Sequence, residues 1–150
     1  MKASDVMRPV GVLQADDPAE NLARAFQRPT CRAVAVISAE GKLLGLVTDE
    51  DVLYALLPPY VRDDPVLARV FEEDPDWQLR QRFEGKLVGN VVDIRGREQI
   101  PVGPDDALVE VISVMGRTGG PAVLVAEDDL VFGVITVDEL LPALLAWHPS

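Results

Sequence analysis

Two stretches of the chain carry the same succession of apolar and polar positions. Val34-Ala35-Val36-Ile37 is an apolar run, Ser38 to Lys42 is polar, and Leu43 to Val47 is apolar again before Thr48. The arrangement returns 88 residues later, with Ala122 to Ala126, the polar Glu127-Asp128-Asp129, and Leu130 to Ile135 before Thr136. Short apolar runs bounded by turn residues predict strands, so each stretch predicts a two-stranded hairpin. Both hairpins run directly into helical patterns. These cover Asp49 to Leu57, ending before Pro58-Pro59, and Val137 to about Ala146.

The repetition continues upstream. Asp17-Pro18-Ala19-Glu20-Asn21-Leu22 pairs with Gly103-Pro104-Asp105-Asp106-Ala107-Leu108 at an offset of 86. This pairing places a proline at the first helical position of each copy, where its missing N–H costs nothing. Amphipathic helices follow, with Leu22, Ala25 and Phe26 apolar in one copy and Leu108, Val111, Ile112 and Met115 in the other. Ser4-Asp5-Val6-Met7 aligns with Gly89-Asn90-Val91-Val92. Each copy reads as helical turn, helix, strand, strand, helix. So small a unit cannot bury both faces of its sheet alone, whereas two copies packed face to face share one core. The expectation is a two-repeat α/β (α+β) domain with pseudo-twofold symmetry: repeat 1 over residues 1–57 and repeat 2 over 87–150.

Residues 58–86 are not repeated. Asp64-Pro65 and Asp74-Pro75 each resemble an N-cap followed by proline at the first helical position, and Gly85 suits a helix stop. The segment predicts a helical insertion and holds four of the eight aromatics, Tyr60, Phe71, Trp77 and Phe83. Two roles stay open for it, packing on its own domain or forming a subunit or partner interface.

Composition narrows the function. Of 150 residues, 48% are hydrophobic and 26% charged, the balance of a globular domain. The 25 acidic residues against 14 basic ones give a net charge of −11. That excess lacks the basic footprint of nucleic-acid binding and argues equally against an anionic membrane surface. One cysteine, Cys31, and one histidine, His148, exclude an internal disulfide and a Cys/His metal site. A histidine-dependent nucleophile would need His148, so close to the C-terminus that catalysis of this type is not expected. No apolar signal core opens the chain and no run reaches the length of a membrane span, which points to the cytoplasm. Cys31 reads as a partly buried small residue, Gly119-Gly120-Pro121 as a tight entry into a strand, and Trp147 and His148 as tail residues.

The segment Gly45-Leu46-Val47-Thr48-Asp49-Glu50-Asp51 followed by Val52-Leu53 resembles the signature of CBS (cystathionine β-synthase) domains. Gly133-Val134-Ile135-Thr136-Val137-Asp138-Glu139-Leu140-Leu141 is similar, and Asp5-Val6-Met7 resembles the family's usual start. The resemblance covers both repeats and implies the paired module often called a Bateman domain, with two βαββα-type repeats. It implies a non-enzymatic regulatory module that binds an adenosyl ligand (AMP, ADP, ATP or S-adenosylmethionine) between the repeats. It also implies a homodimer. In the family the Thr or Ser contacts phosphate and the Asp three residues later accepts from the ribose hydroxyls. Carried over, these are Thr48 and Asp51 in the first copy, Thr136 and Glu139 in the second.

Elementary chemistry agrees with that assignment. A strand entering a helix at threonine presents unpaired N–H groups and the positive end of the helix dipole. Gly45, Val47, Gly133 and Ile135 belong to the strands leading in, and Val47 and Ile135 are expected as apolar walls for a purine. Thr-x-x-Asp/Glu is equally a capping box that needs no ligand, and Glu139 fits the box better than the nucleotide pattern. Asp49, Glu50 and Asp51, with Asp138 and Glu139, crowd carboxylates at the cleft mouths. They would repel a triphosphate unless Mg2+ or an arginine intervened, and the candidate arginines are Arg8, Arg32 and Arg117. This favours a ligand of low negative charge, AMP or S-adenosylmethionine, with no cofactor otherwise required. No effector domain is visible in the 150 residues, so output is expected through a partner in trans. The alternative is a structural homodimerisation module whose clefts stay empty.

Overall fold

The hairpins form at the predicted positions because Ala33 to Val36 and Ala122 to Ala126 are all apolar and buried. A computed structural model of the chain describes residues 1–28, 31–57, 64, 66, 81–92 and 100–146. Its elements in chain order are α1 (Ala3–Val6), β1 (Gly11–Gln14), α2 (Glu20–Phe26), β2 (Ala33–Ile37), β3 (Leu43–Thr48) and α3 (Asp49–Ala55). There follow α4 (Val88–Val91), α5 (Leu108–Thr118), β4 (Ala122–Glu127), β5 (Leu130–Thr136) and α6 (Val137–Leu145). β1 lies parallel to β2, and β2 pairs antiparallel with β3. β4 and β5 form the second antiparallel pair, and a parallel bridge from Val102 to Val125 stands where the first sheet has β1.

Side-chain alternation explains why β2 and β4 are apolar without a polar face. Val34, Val36 and Val47 point to a core shared with Leu22 of α2 and Val52 of α3. Their neighbours Ala33, Ala35 and Leu46 point the other way, onto Ala122, Leu124, Ala126 and Val134 of the second sheet. Val123, Val125 and Ile135 face Leu108 and Val111 of α5 and Leu140 of α6. Successive residues of a strand face opposite sides, so a sheet covered on both faces needs apolar residues throughout. The architecture is therefore α+β, two sheets face to face with helices outside, as the pseudo-symmetric repeats required.

The leading turns cross over between the repeats. Ala3 at the start of α1 is fully buried in the core of the second repeat. Val88 in α4 is fully buried in the core of the first. Matching hydrogen bonds hold both turns. Ala3 N–H donates to Asp106 O at 2.8 Å and Val88 N–H to Asp17 O at 2.9 Å. Ser4 N–H donates to Pro104 O and Gly89 N–H to Ala15 O, each at 2.9 Å. The loops close alike, Gln14 N–H on Asp17 Oδ2 and Gly103 N–H on Asp106 Oδ2, both at 2.8 Å.

These pairs correct the upstream alignment. Asp17 is equivalent to Asp106, so the offset there is 89, not 86, and Leu22 corresponds to Val111, both fully buried. Pro104 corresponds to Ala15 and lies in a turn, four residues before α5 begins at Leu108. Pro18 likewise precedes Ala19, the N-cap of α2, so neither proline occupies the first helical position. Pro104 lies inside the turn closed by Asp106, whereas Pro18 directly follows the turn closed by Asp17 and bridges Leu87.

Most of the non-repeated segment, including Tyr60, Phe71, Trp77 and the Asp74-Pro75 pair, lies outside the described residues, as do Trp147 and His148. Within the described part, Asp64 Oδ1 accepts from Val66 N–H at 2.9 Å, the predicted cap. Phe83 is buried in the first repeat's core beside Val52 and Ala55, and Gly85 has φ +68°, the left-handed turn expected of a helix stop. Gly119 is also left-handed (φ 67°), and its N–H closes α5 on Met115 O at 3.0 Å.

Candidate functional site

Each hairpin delivers a threonine to the junction of strand and helix. Thr48 Oγ1 accepts from Asp51 N–H at 3.3 Å while Asp51 Oδ2 accepts from Thr48 N–H at 2.8 Å. In the second repeat Thr136 Oγ1 accepts from Asp138 N–H at 3.2 Å and Glu139 Oε2 accepts from Thr136 N–H at 2.7 Å. The Thr136 hydroxyl also donates to Glu139 Oε2. Both capping boxes are thus complete, and both threonines are buried.

A cavity opens at each threonine, built from both repeats. The Thr48 cavity measures about 260 Å³ and is lined by Gly45, Leu46 and Thr48 from one repeat and Val114, Thr118, Asp128 and Asp129 from the other. The Thr136 cavity measures about 440 Å³. Val134, Thr136 and Glu139 form one wall, and Arg24, Ala25, Arg28, Cys31 and Arg32 form the other, with Arg8 beside them. Thr48 matches Thr136, Leu46 matches Val134, and at the corrected offset Val114 matches Ala25. The two cavities are pseudo-symmetric in position and the larger falls in the size range of small-ligand sites.

Their electrostatics differ. Arg8 Nη1 lies 3.0 Å from Glu139 Oε1. Arg32 bridges both repeats, 3.6 Å from Asp49 at the start of α3 and 3.5 Å from Asp138 in α6. Burial pushes the Glu139 carboxyl up, but the Thr136 hydroxyl, the Thr136 N–H and the Arg8 guanidinium outweigh it and hold the group below the usual carboxylate value. Burial raises the Cys31 thiol, against a weaker opposing pull from a backbone hydrogen bond of Ala33 and from Arg28. In the Thr48 cavity, Asp129 Oδ1 accepts from Leu43 N–H of the other repeat at 3.0 Å.

The predicted residues separate accordingly. Gly45 and Thr48 line the first cavity, while Arg8, Arg32, Thr136 and Glu139 line the second. Val47 and Ile135 line neither; both are buried behind the sheets, and the walls come from Leu46 and Val134, one residue earlier on the opposite strand face. Asp51 serves the cap, and Asp49 and Asp138 hold Arg32. Gly133 has a backbone reason to be glycine: a Cβ there would sit 2.6 Å from Arg8 O, where the chain bridges Val134. Arg117 is exposed and lines neither cavity.

Arg24 and Arg28, with Asp128 and Asp129 in the other cavity, are the charged lining residues that sequence reading missed. The offset of 89 makes Arg28 the counterpart of Arg117, whereas the offset of 86 hid that equivalence. Nor do carboxylates dominate both cleft mouths, since among the described residues four arginines and one carboxylate line the Thr136 cavity.

Known proteins place the chain. The CBS domain family model matches residues 3–58 and 91–146. No curated protein matches the sequence. A CBS domain-containing protein of unknown function from Kribbella flavida shares 26% identity, with 97% of this chain and 99% of that one covered and a TM-score of 0.75. CBSX2, solved in complex with AMP, superposes at a TM-score of 0.65 with 18% identity, over 97% of this chain and 96% of that one. The CBS domain pair of protein MJ0100, in complex with 5′-methylthioadenosine and S-adenosyl-L-methionine, gives 0.66 with 16% identity, over 97% of each chain. With two matched regions that each hold one hairpin and its capped helix, the chain belongs to the CBS domain family and carries the domain as a tandem pair.

Proposed function

We propose that this chain is a non-catalytic, cytoplasmic regulatory module that binds an adenosyl ligand between its repeats and passes occupancy to a protein partner. The observation that carries the reading is the pair of inter-repeat cavities, each with a buried threonine at a strand–helix junction. AMP in one neighbour and 5′-methylthioadenosine with S-adenosyl-L-methionine in another support the ligand class. Among the described residues no helix is long and apolar enough to cross a membrane. Arg32 offers a route for signalling. It ties the first turns of α3 and α6 together, so a ligand that draws it away loosens a contact between repeats.

Thermal unfolding with adenosine, AMP and S-adenosylmethionine, against guanosine as control, tests the reading. Saturation at about 100 Kd adds roughly 2.7 kcal/mol, and a chain of this length then gains about 5–10 °C in melting temperature. No shift from any adenosyl compound near millimolar concentration defeats the proposal.

A second reading has its own observation. Both Thr-x-x-acid pairs are satisfied as caps, while Leu53 and Tyr54 of α3, Val109 and Ile112 of α5, and Leu141, Leu144 and Leu145 of α6 are exposed. That combination supports a homodimerisation module with empty clefts, its helix faces covered by a second copy. A dimer by light scattering with no ligand shift selects this reading; a dimer with a shift fits the first, for which we also propose a homodimer.

A further inference from the structure

The two cavities share a backbone frame and differ in the charge they present. Arg8, Arg24, Arg28 and Arg32 line the Thr136 cavity, with Glu139 the one lining carboxylate among the described residues. Among the described residues the Thr48 cavity is lined by no basic side chain and carries Asp128 and Asp129. Two of the four arginines are matched, Arg8 by Glu139 and Arg32 by Asp49 and Asp138. Arg24 and Arg28 have no ion-pair partner among the described residues. Arg24 stands in the last turn of α2 and Arg28 just beyond its C-cap, Gln27. A helix C-terminus favours a nearby cation, which accounts for one of them. Gathering both with two further guanidiniums around one cavity sets like charges against each other, a cost that a bound anion removes.

The chemistry of the gap is specific. A guanidinium offers a planar fork of N–H donors that meets two phosphate oxygens at once, and it carries its charge at every physiological pH. Two unmatched guanidiniums supply two such forks. Arg8 adds a third if it turns from Glu139, which keeps its two bonds from Thr136. The space also suits a longer ligand, about 440 Å³ against about 260 Å³ in the acidic cavity.

We propose that the Thr136 cavity takes an adenosyl ligand bearing two or more phosphates, seated by Arg24 and Arg28 without a divalent metal ion. The proposal rests on the adenosyl-sensing reading above and assigns the ligand's charge class and location within it. It reverses, for this cavity, the preference for weakly charged ligands that the acidic composition suggested.

Calorimetric titration of the whole chain with adenosine, AMP, ADP, ATP and inorganic tripolyphosphate, in EDTA, tests it. Affinity is expected to rise about tenfold or more from AMP to ATP, the yield of one charge-assisted contact. The gain should shrink as salt is raised, because half-open ion pairs are screened. In the Arg24→Gln/Arg28→Gln double variant ATP should weaken more than AMP, so that the tenfold preference for ATP is lost. Arg117→Gln, which removes the counterpart of Arg28 outside the cavity, should preserve the ranking. The unliganded melting temperature checks that the double variant is folded, and the salt series on the native chain provides a readout that needs no variant. AMP binding as tightly as ATP, ATP binding only with Mg2+, tripolyphosphate matching ATP, or a double variant that keeps the ranking each overturns the proposal. In all but the tripolyphosphate case the adenosyl reading survives such a result. Failure of every adenosyl compound to bind defeats that reading and this inference with it.

Discussion

Replacing Arg8 by alanine isolates the contact on which the second strand–helix junction depends. The pair lies between two regimes, since the Arg8 side chain is 51% exposed and that of Glu139 only 9%, at 3.0 Å. Exposed pairs contribute about 0–1 kcal/mol, and removing one partner of a fully buried pair costs about 3–5 kcal/mol. The Thr136 bonds remain in the variant, so the loss near neutral pH should be about 1–2 kcal/mol. The pH dependence carries a sharper signature. Glu139 is held below its ordinary value in the folded chain, so its contribution is complete above that value and is lost as pH falls through the folded one. Without Arg8, burial is opposed by the Thr136 bonds and the Glu139 backbone N–H, and the folded value moves up. Arg8→Ala should therefore lose less stability than the native chain as pH falls below the ordinary carboxylate value. Urea unfolding of both proteins from neutral to acid pH measures this, and the difference between the curves removes the carboxylates common to both. Equal stability at neutral pH together with parallel acid limbs would refute the argument.

Two further substitutions probe the frame. Gly133→Ala puts a methyl group 2.6 Å from Arg8 O, a backbone atom with little room to yield, and should cost about 1–3 kcal/mol; denaturant midpoints check it, and a change within a few tenths of a kcal/mol would show that the segment shifts freely. Ile135→Ala empties a fully buried site between α5 and α6 and should cost about 2–5 kcal/mol, or roughly 4–20 °C in melting temperature, with a shift under about 2 °C telling against its place in the core.

What the amino-acid pattern disclosed depended on how strictly each feature is tied to burial. Val34, Val36, Val123 and Val125 announced strands because a sheet covered on both faces admits little else, and the hairpins stand where the pattern placed them. The capped helices were equally legible, since Thr48 and Thr136 follow apolar runs and precede an acid at the third helical position. The strand face was not. Val47 and Leu46 are both apolar, and only the packing of one sheet on the other decides which borders a cavity. The crossing of α1 and α4 was hidden as well, because a four-residue turn gives no sign of which repeat it covers. Prolines at 18 and 104 misled the alignment because proline suits a turn as well as a helix start. The equivalence rested instead on Asp17 and Asp106, each bonded to the N–H three residues before it.

Pseudo-symmetry then explains how one fold holds two unlike cavities. The apolar positions that build the frame recur in both copies, so the backbone returns a threonine, a strand edge and a helix flank to each cleft. The charged positions are not bound by that requirement. At the established offsets Arg32 corresponds to Gly120, Arg24 to Ser113 and Arg28 to Arg117, so only one of these three arginines has a basic counterpart. Even that counterpart, Arg117, lies off the cavity. A net charge of −11 does govern what the protein meets at long range, and a polyanion remains repelled. Within a cleft the balance is decided by the few groups inside a Debye length, about 8 Å at physiological salt. Glu139, Asp49 and Asp138 offset Arg8 and Arg32 at that range, so it is Arg24 and Arg28 that can attract phosphate inside a strongly acidic protein, and the acidic surface around them favours a compact anion over an extended one.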